Sequence, residues 1–124
     1  MPLKVFFDGG CRPNPGTMEI AAVARGVATI LPDVGEGSSM EAEWLALIHA
    51  ATIARTLGPE PVVLLGDAKD VVAKANGSLR CDPAAAPHLA RFREIAAGEP
   101  PLRVRYVKRA QNLAGIALAR RHPR

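Results

Sequence analysis

Aromatic residues make up only 4% of this 124-residue chain, which argues against a surface that holds single-stranded nucleic acid by stacking bases. Cysteine is nearly absent too. Cys11 and Cys81 show neither CxxC nor Cys/His spacing, so neither a zinc site nor a disulfide framework is expected. A reduced, cytoplasmic protein is the expectation, with a single Cys11–Cys81 bridge as the alternative. No apolar run approaches the ~20 residues of a membrane span, and the start, MPLKVFFDGG, lacks the basic, apolar and cleavage segments of a secretory signal. No repeat, linker or low-complexity tract divides the chain, so one domain over 1–124 is expected. Acids are missing beyond Glu99, where Arg103, Arg105, Lys108, Arg109, Arg120, Arg121 and Arg124 follow. With a net charge of +4, such a basic end suits a polyanionic partner such as nucleic acid.

What is present reads as alternating elements. Residues 3–9 are a β-prone run that ends in the Gly/Pro-rich turn DGGCRPNPG. Strands follow over 17–25 and 27–31, split by Gly26. A long helix is expected over 39–57, with Ser38 or Ser39 as N-cap and Gly58-Pro59 as its stop. The unbroken apolar run 62–65 fits a central buried strand. A short helix over 67–75, a second over 84–97, a strand over 102–107 with Leu102, Val104 and Tyr106 on its buried face, and a closing helix over 112–121 complete the order. The pattern βββαβααβα predicts an α/β fold built on one mixed five-stranded sheet with helices on both faces.

Three acids stand in matching contexts. Asp8 ends the first strand, Glu43 lies in the first turns of the long helix, and Asp67 closes the fourth strand. If the first and fourth strands are neighbours, two carboxylates meet at adjacent strand positions and a third reaches down from the helix. Carboxylates that close repel one another unless a hard cation neutralises them, and oxygen-only ligands select Mg²⁺ or Mn²⁺. Taken singly, Asp8 could serve the turn, Glu43 the helix dipole and Asp67 as an N-cap. Glu41 is the rival of Glu43, but it lies about 200° away around the helix, so only one of them can face the site.

These motifs resemble those of the type 1 ribonuclease H family over nearly the whole chain, in particular its short archaeal-type and bacterial forms. DGGCRPNPG resembles the family's opening strand, Asp and NPG turn, and SSMEAEWLALIHAA its T-N-N-x-A-E-x-x-A helix with Glu43 as the glutamate. GDAKDVVAKANG resembles the strand-ending D-S-x-x-V-V, and VRYVKRAQNLAGIALAR the closing V-x-R-x-x-N-x-x-A-D-x-L-A. The resemblance implies a ribonuclease-H-like fold and hydrolysis of the RNA strand of an RNA–DNA hybrid by a monomer that needs no protein partner. It implies two Mg²⁺ or Mn²⁺ ions held by Asp8, Glu43 and Asp67, and substrate contacts from Gly9, Gly10, Cys11, Asn14, Ser39, Lys69 and Arg109.

The chain also departs from the family. The fourth carboxylate of A-D-x-L-A falls on Ile116, which cannot ligate a cation. Asn112, one turn earlier, could offer a neutral oxygen in its place. Ser39-Met40 stands for the Asn pair, and Asp67-Ala68 for the usual D-S. The family's mobile histidine has no counterpart in VKRAQN, with His122 too close to the C-terminus to substitute for it. His49 and Trp44 read as packing residues. A non-cleaving module that binds hybrid or double-stranded RNA is therefore the alternative function.

Overall fold

The computed structural model describes residues 2–122. Strands β1 (Leu3–Cys11), β2 (Gly16–Ala24) and β3 (Val27–Leu31) form an antiparallel meander. Helix α1 (Ser39–Ala54), strand β5 (Val62–Gly66), helices α2 (Lys69–Ala75) and α3 (Ala86–Ala96), strand β6 (Leu102–Tyr106), a 3-10 turn (Arg109–Gln111) and helix α4 (Leu113–Ala119) follow. The sheet runs β3-β2-β1-β5-β6, with β5 and β6 parallel to β1. The expected α/β order and mixed sheet are present, together with one small strand not anticipated: β4 (Glu36–Gly37) pairs with Gly16 and Thr17 of β2.

The largest difference from the expected boundaries bears on the site. β1 does not stop at Gly9, because Gly9, Gly10 and Cys11 continue the ladder opposite Ile20, Glu19 and Met18. Asp8 is thus well inside a strand and is no turn residue. The long helix ends earlier than expected. Thr56 and Leu57 donate their N–H groups back to Ile53 and Ala54, the shorter-period bonds of a tightening last turn. Tyr106 is 45% exposed and leaves only Val104 as the fully buried residue of β6.

Alternation along the strands assigns the two faces. Val5 and Phe7 of β1, Ile20 and Ala22 of β2 and Leu64 of β5 join the main core beneath α1, α2 and α3. α1 is buried almost all round. Ala42, Ala46, Ala50, Ala51 and Ala54 let it lie close to the sheet, while Trp44 and Leu47 fill the volume between. The other face is thin, with Ala21 and Val23 of β2 meeting Ala114 and Leu118 of α4. At about 25 cal/mol per Å² of apolar area removed from water, the first face carries most of the stabilisation.

Candidate active site

The β1–β5 register runs from Leu3–Val62 to Phe6–Leu65. Continued two residues further, it brings Asp8 level with Asp67, just past the end of β5. Here the ladder has finished, and the Gly9 N–H donates instead to Glu43 Oε1 at 2.7 Å. Only glycine allows this approach, since a Cβ at position 9 would lie 2.2 Å from the Ala42 carbonyl oxygen. One backbone contact therefore brings the first turns of α1 onto β1 and aims Glu43 at the strand ends.

The outcome is a cluster of Asp8, Glu43 and Asp67, each offering an oxygen within 4.8 Å of the others. Burial, and next the charge of Asp67, push the Asp8 carboxyl up to about 7. Burial, and next the charge of Asp8, push Glu43 up to about 8, against the opposing Gly9 hydrogen bond. Arg109 draws both values down but does not restore them. Acids that resist ionising side by side in an oxygen-only pocket suit a hard divalent cation. The donor set fits Mg²⁺ or Mn²⁺ on its chemistry.

Each acid could have had a local role, and the structure shows otherwise. Ala68 occupies the N-cap position of α2, with no side-chain cap, so Asp67 is not spent on the helix. Ser38 caps α1, its Oγ accepting from the Glu41 N–H at 3.1 Å. Glu41 turns to His88, 3.4 Å away, leaving Glu43 alone at the site.

The cluster opens into a cleft of about 580 Å³, lined by residues of β1, α1, the 3-10 turn and α4. The family described as reverse transcriptase-like matches residues 6–122. The chain belongs to this family, which has the ribonuclease H fold. This ribonuclease-H-like domain is 31% identical over 123 residues to ribonuclease HI of Halobacterium salinarum. That match covers 94% of the chain and 62% of the relative, so the chain spans about three-fifths of the relative's length. The crystal structure of RNase H1 from the same archaeon superposes with a TM-score of 0.81 at 29% identity, covering 95% of this chain and 94% of that one. LC11-RNase H1 in complex with RNA/DNA hybrid gives 0.83 at 23% identity, covering 94% and 92%, a likeness of fold.

Other anticipated residues fall unevenly around the ribonuclease-H-like cleft. Gly9, Gly10, Cys11, Ser39, Arg109 and Ile116 line it. Asn14 does not, but its Oδ1 accepts from the Ser39 N–H at 3.1 Å and from Cys11 Sγ at 3.4 Å, tying the turn after β1 to the start of α1. Lys69 stands outside the cleft with its ammonium 5.2 Å from the centre of the Tyr106 ring, a cation–π contact. Cys11 and Cys81 are both free thiols. Trp44 is 1% exposed in the core, and His49 lies at 3.4 Å from the Thr29 carbonyl, as packing residues do.

Asn112 does not supply the neutral ligand considered from the sequence. Fully buried, it caps α4 by accepting from the Ala114 and Gly115 N–H groups, while its Nδ2 donates to the Phe7 carbonyl at 3.0 Å and to Asp67 Oδ2 at 3.2 Å. Its oxygen is committed to the helix, and its amide orients Asp67 against β1. One residue escaped the sequence reading, and another was set aside by it. Glu19 lines the cleft from β2, and His122 is bound to it, although its place near the chain end had argued against any part in the site. A charged residue at the head of an otherwise apolar run, in TMEIAAVA, was the available signal.

Proposed function

We propose that this domain hydrolyses the RNA strand of RNA–DNA hybrids in a reaction dependent on Mg²⁺ or Mn²⁺, with Asp8, Glu43 and Asp67 holding up to two ions. The observation that carries this reading is the convergence of three carboxylates, two of them pushed up to about 7 and about 8, in one cleft of a ribonuclease-H-like fold. The names of the relatives, ribonuclease HI and RNase H1, support it. A divalent cation bound there would neutralise the acids, activate water for attack and offset charge on the departing oxygen.

The residues of the chain prepare that chemistry. Gly9 holds Glu43 by its N–H, and Asn112 holds Asp67, so two of the three acids arrive in fixed orientations. Arg109, at the mouth, offers positive charge to a backbone phosphate, a contact that positions a duplex without reading its sequence. Gly10, Cys11 and Ser39 form the adjoining wall, and the Asn14 bonds keep that wall in place. A minor groove lying there would expose its 2′-hydroxyls to this wall, the feature that marks the RNA strand. The reading takes the domain as a monomer, and its two free cysteines support a reducing, cytoplasmic setting.

A second reading has its own observation. Ile116 presents an apolar side chain to the cleft, at the position where the resemblance to type 1 ribonucleases H implies an acid, which favours a module that grips hybrid or double-stranded RNA without cutting. A labelled RNA–DNA hybrid incubated with Mg²⁺ or Mn²⁺ separates the two. Cleavage of the RNA strand, lost in Asp8→Asn, supports the nuclease. Salt-sensitive binding without cleavage under either cation supports the module.

A further inference from the structure

Glu19 is only 7% exposed, and with Asn112 it is one of two buried polar side chains among the described residues. Burying a carboxylate costs several kcal/mol unless it is paired, and a well-packed apolar residue is often as stable at such a position. β2 offers that alternative freely, since Met18, Ile20 and Ala21 around Glu19 are all apolar and buried. Packing alone does not call for an acid here.

Its placement relates it to the cation cluster. Glu19 pairs across the sheet with Gly10, and Ala21 pairs with Asp8. Strand alternation therefore puts Glu19 and Asp8 on the same face, the one covered by α4. Between them lies Gly10, and a Cβ built there would meet nothing within 4 Å, so no side chain separates the two acids. Glu19 lines the same cleft as Asp8, Glu43, Asp67 and Ile116, on the α4 side where Ile116 brings no charge. Arg121 Nη1 and His122 Nε2 hold its carboxylate from just beyond α4, the histidine at 2.8 and 2.9 Å from the two oxygens.

We propose that Glu19 is an outer carboxylate of the cation site, compensating for the acid missing at Ile116, with Arg121 and His122 as the partners that orient it. The assignment rests on the cation-dependent reading given under Proposed function. Glu19 is a positioning residue, because it stands outside the 4.8 Å cluster and is expected to act through water of the ion's shell. Mg²⁺ retains several such waters, and outer partners of this kind commonly change metal affinity by about 10–100-fold.

Mn²⁺ affinity, measured by the loss of the free-ion electron paramagnetic resonance signal at fixed pH, tests this without any turnover. Glu19→Gln is expected to weaken binding about tenfold, and Ile116→Asp in the Glu19→Gln background to recover it. A Glu19→Gln protein that binds Mn²⁺ as wild type does, or an Ile116→Asp gain no larger in the Glu19→Gln background than in wild type, overturns the assignment, since a purely structural role for Glu19 would leave the two gains equal. If Glu19→Gln does not fold, Glu19→Asp carries the same comparison: it keeps the charge, shortens its reach, and must show a loss, with a larger Ile116→Asp gain than in wild type. Asp8→Asn separates the two levels of the reading. Equal Mn²⁺ binding in Asp8→Asn and wild type removes the cation site and Glu19 with it. Binding that depends on Asp8 but not on Glu19 removes Glu19 alone.

Discussion

The two faces of the sheet are built to different ends. Under α1, α2 and α3, apolar side chains from seven elements interlock, and the charged residues there stay at the rim. Under α4 the apolar contact is small, and the same face carries Asp8, Glu19, Arg121 and His122 at one end. The thick face supplies stability, and the thin one can hold charge that a full core would not tolerate. Glu43 joins them by reaching from the thick side over a glycine to the ends of the strands.

Truncations on the two faces should separate them most. Leu47→Ala, in the fully buried heart of the main core, should cost about 3–5 kcal/mol in urea unfolding, while Leu118→Ala beneath α4 should fall near the lower end of the series, about 2 kcal/mol. Equal losses would dissolve the contrast between the faces.

Gly9→Ala tests the point where the faces meet. Its new methyl must push α1 from β1, with an expected cost of roughly 1–3 kcal/mol and a larger loss of Mn²⁺ affinity than of stability. Unfolding and Mn²⁺ titrations on the same sample show whether Glu43 depends on that contact.

The pH dependence of stability without cation comes next. Asp8 and Glu43 have folded values of about 7 and about 8, above the ordinary 3.8 and 4.5. Between pH 4 and 8 the folded protein therefore holds more protons than the unfolded chain, and stability must fall as pH rises through this window. Chelator-treated protein should melt clearly lower at pH 8 than at pH 5, and saturating Mn²⁺ should reduce the slope. Asp8→Asn should flatten it without cation. A melting temperature that rises steadily over this range would mean that the acids ionise freely.

The smallest effect belongs to the mouth of the cleft. Arg109→Ala should weaken hybrid binding about equally for all sequences and reduce the salt slope by about one. A change confined to one sequence would show that Arg109 reads bases.

Much of this was legible in the chain because it is local. The apolar run Val62–Leu65, the glycine and proline stops, and the alternation along the first strand mark elements through periodicity and turn chemistry. Helical angle shows that only one of Glu41 and Glu43 can face the site, and the A-E spacing of the motif picks Glu43. Boundaries were less legible: Gly9 to Cys11 resemble a turn until Met18 to Ile20 are laid beside them, because pairing with a distant strand outweighs the turn propensity of two glycines.

By itself, then, the sequence determined which residues could form strands and helices, and which acids belonged to the first strand, the long helix and the turn after the fourth predicted strand. Only the tertiary structure decided that Asn112 serves Asp67, that Lys69 packs on Tyr106 outside the cleft, and that Glu19 and His122 meet beside Asp8. Each of these pairs is joined across long stretches of chain, and no periodicity records it. Their positions follow from strand register and from how closely α1 and α4 lie on the sheet, quantities that exist only once the chain has packed.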